Sequence, residues 1–149
     1  MKLRLIVVGR GATELSAFET EYLKRLKGHC SFEIIELPEG KGKQMTQRKQ
    51  EEAKQILKTV ATDFILFEEH GKSMKSTQWA DCLQTLHGGT SLDFVIGGAS
   101  GVSDAVRQKA KACWSLSALT LPHKLARTLV IEQLYRAFTI IQGHPYHRG

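Results

Sequence analysis

No CxxC pair occurs in the sequence, and its three cysteines, Cys30, Cys82 and Cys113, are odd in number and far apart. That speaks against a disulfide scaffold and for a reduced interior. No apolar run approaches the length needed to cross a bilayer. The opening MKLRLIVVG joins a basic residue to an apolar run too short for a signal peptide. A soluble, cytoplasmic protein with no membrane partner is expected. Repeats, linkers and low-complexity tracts are also lacking, so residues 1–149 read as a single domain. A chain of this size buries roughly 70% of its unfolded surface and needs no staples.

Two common nucleotide signatures are missing as well. A dinucleotide fingerprint would place G-x-G-x-x-G after the first strand. The glycine cluster here, GGASG at 97–101, follows the fourth strand instead and does not end in the G-K-[ST] of a phosphate-cradling loop.

What is present is a regular alternation. Strands are expected at 2–8, 32–37, 63–67, 92–96 and 114–120. Helices are expected at 14–26, at 47–58, from a Ser76 cap through Leu86, from a Ser103 cap to Ala112, and from just after Pro122 to about Ile141. Alternation of this kind predicts an α/β fold with a largely parallel sheet. The last helix, LARTLVIEQLYRAFTII, is apolar nearly all round. One stripe suffices to pack on a sheet, so a second requires either deep burial or a second subunit.

The charge is 21 basic against 15 acidic residues, a net +6, with a pI near 9.3. That suits a polyanionic partner such as RNA, although many basic proteins bind none. Lys41, Lys43, Arg48 and Lys49 fall in EGKGKQMTQRKQ, residues 39–50, which reads as a solvated loop or as a phosphate contact. His144 and His147 flank Pro145, but no third ligand is evident, so no metal site is predicted.

Two loops stand out at strand ends. DFVIGGASG runs a strand straight into Gly97, Gly98 and Gly101. Either the turn admits only glycine there, or a ligand comes close to the backbone. WSLSALTLPHKLAR, residues 114–127, is small and apolar and opens the last helix at Pro122. Ligands of parallel α/β sheets bind beyond the carboxyl ends of strands. Two such loops would wall a pocket suited to a flat, partly apolar molecule such as an adenine nucleoside.

IGGASG, WSLSALTLPHKLARTLVIEQLYRAF and the terminal HPYHRG, taken together, resemble the RlmH (YbeA) family of SPOUT-class RNA methyltransferases, along essentially the whole chain. The resemblance implies a C-terminal trefoil knot, which topology rules alone would reject. It implies a homodimer packed through the knotted region. It implies S-adenosylmethionine held by Phe67, Gly98, Ser117, Ala118, Leu119, Thr120, Leu121 and Pro122. It implies methylation at N3 of a pseudouridine in 23S ribosomal RNA, on free RNA or the ribosome. Gly97 and Gly98 would then let the backbone approach the cofactor. The tail residues Tyr146, His147 and Arg148 would meet the target base. The imide proton must leave; Arg148 would favour the anion, and the base that accepts the proton is not identified. Phe67 replaces a more usual Leu, Ala99 and Ser100 stand where an acid often precedes the last glycine, and Gly149 ends the chain where a charged residue is common.

Arg127, Glu132 and Arg136 interrupt the last helix and read equally as structural ion pairs or as functional groups. The competing reading from another class is a non-catalytic RNA-binding knotted protein; a Rossmann-type nucleotide enzyme is disfavoured by the missing fingerprint.

Overall fold

Apolar runs at Lys2–Val8 (β1), Ser31–Leu37 (β2), Phe64–Ser73 (β3) and Ser91–Ile96 (β4), with the short Ala112–Ser115 (β5) built around Trp114, assemble into one sheet, ordered β2-β1-β4-β3-β5. Every pairing between these strands is parallel. The computed structural model describes residues 1–61, 63–86 and 89–149. Helices fill the connections: α1 (Ser16–Leu26, after a 3-10 turn at Thr13–Leu15), α2 (Met45–Thr59), α3 (Ser76–Gln84), α4 (Asp104–Lys109) and α5 (His123–Ile141).

Crossover handedness decides the layers. β1 to β2 and β3 to β4 step one way along the sheet, whereas β2 to β3 and β4 to β5 step the other way. Right-handed crossovers must then put α1 and α3 on one face and α2 and α4 on the opposite face. The two cores follow that division. Leu3, Leu5, Val7, Phe94 and Ile96 face Trp79 and Leu83 of α3 and Val130, Ile131, Leu134 and Phe138 of α5. Ile6, Val8, Leu66 and Val95 face Ala53 and Ile56 of α2 and Val106 of α4. The strict alternation along β1 is the period of two of a strand buried on both faces.

α5 packs on the sheet between α1 and α3, which explains its apolar residues on several sides. Leu134 is fully buried there, so Leu134→Ala should cost about 2–5 kcal/mol. Leu125, Leu129 and Ile140 remain half-buried. At the opposite end of the sheet from the loops described below, Arg4 forks onto Asp93, its register partner, at 2.7 and 2.6 Å, and the Ala61 amide donates to the same carboxylate at 3.0 Å.

Several expected boundaries differ. The strand expected at 114–120 is Ala112–Ser115, because the chain turns away at once: Ser115 Oγ donates to the Ser117 carbonyl at 2.8 Å, and the Leu119 amide donates to Ser117 Oγ at 2.9 Å. Side-chain bonds of this kind compete with a sheet ladder. α4 stops at Lys109, not Ala112, because Ala110 is extended and Ala112 already opens β5. β3 runs past Phe67 to Ser73 through a bulge, made possible because a Cβ at Gly71 would lie 2.6 Å from the Trp114 carbonyl carbon. Ser76 does not cap α3; its hydroxyl donates to Gln133 Oε1 of α5 at 2.6 Å, and the Gln78 side chain accepts from the Lys75 amide at 2.7 Å. Ser103 stands at the start of α4 without a side-chain capping bond. No described helix is long and apolar enough to cross a membrane.

Candidate active site

The carboxyl ends of β3, β4 and β5 open into a cleft of about 380 Å³, within the range of small-ligand sites. Residues 97–99 and 101 form one wall and residues 115–117 and 119–122 the other, with the start of α5 beneath. Ile96, Leu116, Leu119 and Leu121 supply apolar surface, and glycine backbone supplies hydrogen-bonding groups. Among the described residues, no lysine or arginine lines the cleft. Its charged side chains, Glu68 and Glu69, come from the bulge that follows Phe67. Glu68 accepts from Arg107 Nε at 2.7 Å, and that ion pair holds the guanidinium pKa up. Glu69 accepts from Thr120 Oγ1 at 2.9 Å, tying the bulge to the opposite loop.

The glycine turn has a reason different from the one the sequence suggested. A Cβ at Gly97 would lie 2.4 Å from Val102 Cγ1, and one at Gly98 would lie 3.0 Å from both Val8 Cγ1 and Glu52 Oε1. The missing side chains therefore make room for the protein's own neighbours. Gly101 turns with φ of 85°, and its amide donates to the Gly98 carbonyl at 3.0 Å. What faces the cleft from Gly97 and Gly98 is necessarily backbone.

Of the residues that the resemblance assigns to the cofactor, Phe67, Gly98, Ser117, Leu119, Thr120, Leu121 and Pro122 line this cleft, and Ala118, which is exposed, does not. The Phe67 ring is committed to the core. It stacks on Trp79 at 5.4 Å and on Phe94 at 5.9 Å, and meets Trp114 edge-on at 6.1 Å. Leu119 is 72% exposed at the rim. Sequence reasoning missed Glu68, Glu69 and His123. The acidic pair directly after an apolar strand was a readable signal; the position of His123 after Pro122 was the other. His123 lines the cleft, and its Nε2 is buried without a partner in the described residues. That nitrogen points at Gly9, where an added Cβ would lie 3.5 Å from it, so it is turned toward the end of β1.

The tail lies elsewhere. Tyr146 packs against Tyr135 at 4.9 Å, its hydroxyl donates to Glu132 Oε2 at 2.8 Å, and Arg136 stacks over its ring at 4.7 Å. Burial, together with the bonds to Tyr22 and Glu132, pushes the Tyr146 pKa well up. His147 Nδ1 faces Arg136 at 3.1 Å, and Arg148 is exposed. Glu132 holds Arg136 with two bonds, at 3.2 and 2.8 Å, so the pair is a support for the tail. Glu132 stands about 14 Å along the helix axis from His123, which separates the tail from the cleft of its own chain. Arg127 is structural: Glu36 Oε2 at 2.5 Å and Glu19 Oε1 at 3.1 Å hold it under Gly11. Its hydrogen bond holds the Glu36 carboxyl below the usual range. No group of three or more His, Cys, Asp or Glu side chains converges among the described residues; His144 Nδ1 instead accepts from the Tyr146 amide at 3.2 Å.

The comparisons agree with this architecture. A family profile described as "Predicted SPOUT methyltransferase" matches residues 1–147. The ribosomal RNA large subunit methyltransferase H of Methylobacillus flagellatus is 39% identical over 154 aligned positions, which cover 99% of this chain and 99% of the relative. The protein of the same name from Latilactobacillus sakei is 40% identical over 159 positions, covering 99% and 100%. A probable methylase family protein from Haemophilus influenzae Rd KW20 shares the fold, with a TM-score of 0.57 at 12% identity over 99% of this chain and 70% of that one. The chain belongs to the SPOUT methyltransferase family.

Proposed function

We propose that this chain transfers a methyl group from S-adenosylmethionine to N3 of a pseudouridine in large-subunit (23S) ribosomal RNA. The observation that carries the reading is the meeting of residues 97–101 and 115–122 as opposite walls of one cleft. The relatives named as ribosomal RNA large subunit methyltransferases supply the substrate class. The residues fit the cofactor. Apolar walls and glycine backbone suit an adenosyl group, and Glu68 and Glu69 suit a sulfonium cation. When bound, the cofactor supplies an electrophilic methyl group.

The chain's own residues do the rest. Residues 97–101 and 117–122 orient the bound group, so that positioning supplies much of the rate. Arg148, exposed beside the fastened Tyr146 and His147, holds phosphate and favours the ionised imide without losing its own charge. Because the tail is fastened away from its own cleft, it serves the cleft of a second copy in a homodimer. The half-buried Leu125, Leu129 and Ile140 on α5 suit that contact, and a threaded C-terminal segment suits the family. Such a protein works in the cytoplasm, where ribosomes are. The experiment is calorimetry with S-adenosylmethionine, NAD and ATP in parallel. Micromolar affinity for the first alone supports the reading, and preference for NAD or ATP refutes it.

A further inference from the structure

We propose that Lys41, Lys43 and Lys49 form a preset phosphate-binding edge beside the cleft, along which the backbone of the substrate RNA lies. The proposal rests on the methyl-transfer reading and adds where the RNA is gripped. The segment between β2 and α2 has no apolar period, and sequence alone suggests a loose loop. It is instead folded tightly onto the first two turns of α2. The Gly40 amide donates to Glu52 Oε2 at 2.8 Å and the Lys41 amide to Glu51 Oε2 at 2.7 Å. Arg48 donates to the carbonyls of Gly42 and Lys43 at 3.0 Å each. A Cβ at Gly40 would lie 2.6 Å from the Arg48 carbonyl oxygen, and one at Gly42 would lie 2.5 Å from Gln47 Cβ, so both glycines serve this close fit.

The arrangement sorts the charges. The carboxylates of Glu51 and Glu52 are turned onto the main chain, and Glu52 is only 5% exposed. Arg48 is spent on the loop. Arg4, Arg25, Arg107, Arg127 and Arg136 are each paired with acids. None of Lys41, Lys43 and Lys49 forms an ion pair among the described residues. Compact ammonium groups on a rigid edge read phosphate as point charges, without base specificity. The edge also touches the cleft. Arg48 Nε donates to Ser100 Oγ at 3.3 Å, and a Cβ at Gly101 would lie 3.7 Å from Lys49 Cε. Met45, 54% exposed on the same turn, adds an apolar contact of the kind nucleic-acid binders press against bases. An anionic membrane fits less well, because the apolar stripe of α2, with Ala53 and Ile56, is buried against the sheet.

The test compares the unaltered chain with a Lys41→Gln/Lys43→Gln variant and with a Lys24→Gln/Lys27→Gln variant, which removes equal charge from the α1 side. Binding to ribosomes from cells lacking the gene is followed by cosedimentation between about 50 and 200 mM KCl. The slope of log affinity against log salt should flatten by roughly 1.4–1.8 in the first variant, as expected for two lost phosphate contacts, and by less than half of that in the second. Cofactor affinity should stay unchanged in both. Equal flattening in the two variants, or none in the first, overturns the proposal. So does tighter binding to phosphatidylserine vesicles than to ribosomes. If the unaltered chain binds neither cofactor nor ribosomes, the methyl-transfer reading fails and takes this one with it. If it binds both and the slope ignores Lys41 and Lys43, only the phosphate edge fails.

Discussion

The hydroxyls of Tyr22 and Tyr146 stand 2.7 Å apart, and because Tyr146 gives its proton to Glu132 at 2.8 Å, Tyr22 is the donor between them. The C-terminal tail is thus locked onto α1 and α5 by a chain of two phenols and a carboxylate. Tyr146→Phe removes both bonds and keeps the ring. It should cost about 1–2 kcal/mol, since one of the lost bonds is to a charged group. It should also loosen the tail, seen as faster proteolysis at the C-terminus than in the unaltered chain.

Removing residues 144–149 should abolish methyl transfer and leave cofactor affinity nearly intact, because none of those residues lines the cleft. Arg148→Ala should reproduce most of that loss. Arg148→Lys should recover only part of the activity, since lysine lacks the planar fork. Methylation of ribosomes and calorimetry on the same preparations separate the two effects. Full activity after truncation would make the locked tail purely structural.

Gly98→Val directs its branch at Val8 and Glu52, on the far side of the turn from the cleft. Overpacking of this kind costs about 1–3 kcal/mol and shifts backbone. The wall of the cleft moves, so cofactor affinity should fall at least tenfold in a protein that still melts cooperatively. Unchanged affinity in the folded variant would show that the turn does not form the pocket.

Glu36 titrates below the usual carboxylate range because Arg127 donates to it. Its contribution to stability is therefore complete above the ordinary carboxylate pKa, near 4.3, and is lost as pH falls through the lower folded value. Urea unfolding between pH 6 and about 3 should show a decline that is shallower in Glu36→Gln. Cys30 should resist alkylation in the folded state, because burial raises its thiol pKa to about 11.

Much of this was readable in the sequence because it is carried by local pattern. β1 has the expected bounds, since a buried run closed by Gly9 leaves no alternative register. The pairing of a glycine turn with a Ser/Leu/Pro loop was visible because parallel sheets gather such loops at one end. What escaped depends on distant partners. Nothing local shows that the Phe67 ring belongs to a cluster with Trp79, Phe94 and Trp114, or that Gly98 is small because Glu52 and Val8 come close. The early end of β5 turns on the Ser115 and Ser117 hydroxyls choosing main-chain partners in the turn. The fastening of residues 40–43 to α2 comes from Glu51, Glu52 and Arg48, which composition alone marks as ordinary surface charge.

Methyl transfer to one base of large-subunit ribosomal RNA can be measured on the purified protein. The direct measurement incubates the purified chain with S-adenosylmethionine labelled in the methyl group and ribosomes from cells lacking the gene, then maps the label by mass spectrometry. A single methyl group at N3 of one pseudouridine in 23S RNA is the predicted result. Absence of label from that RNA, or label spread over many positions, would contradict the account.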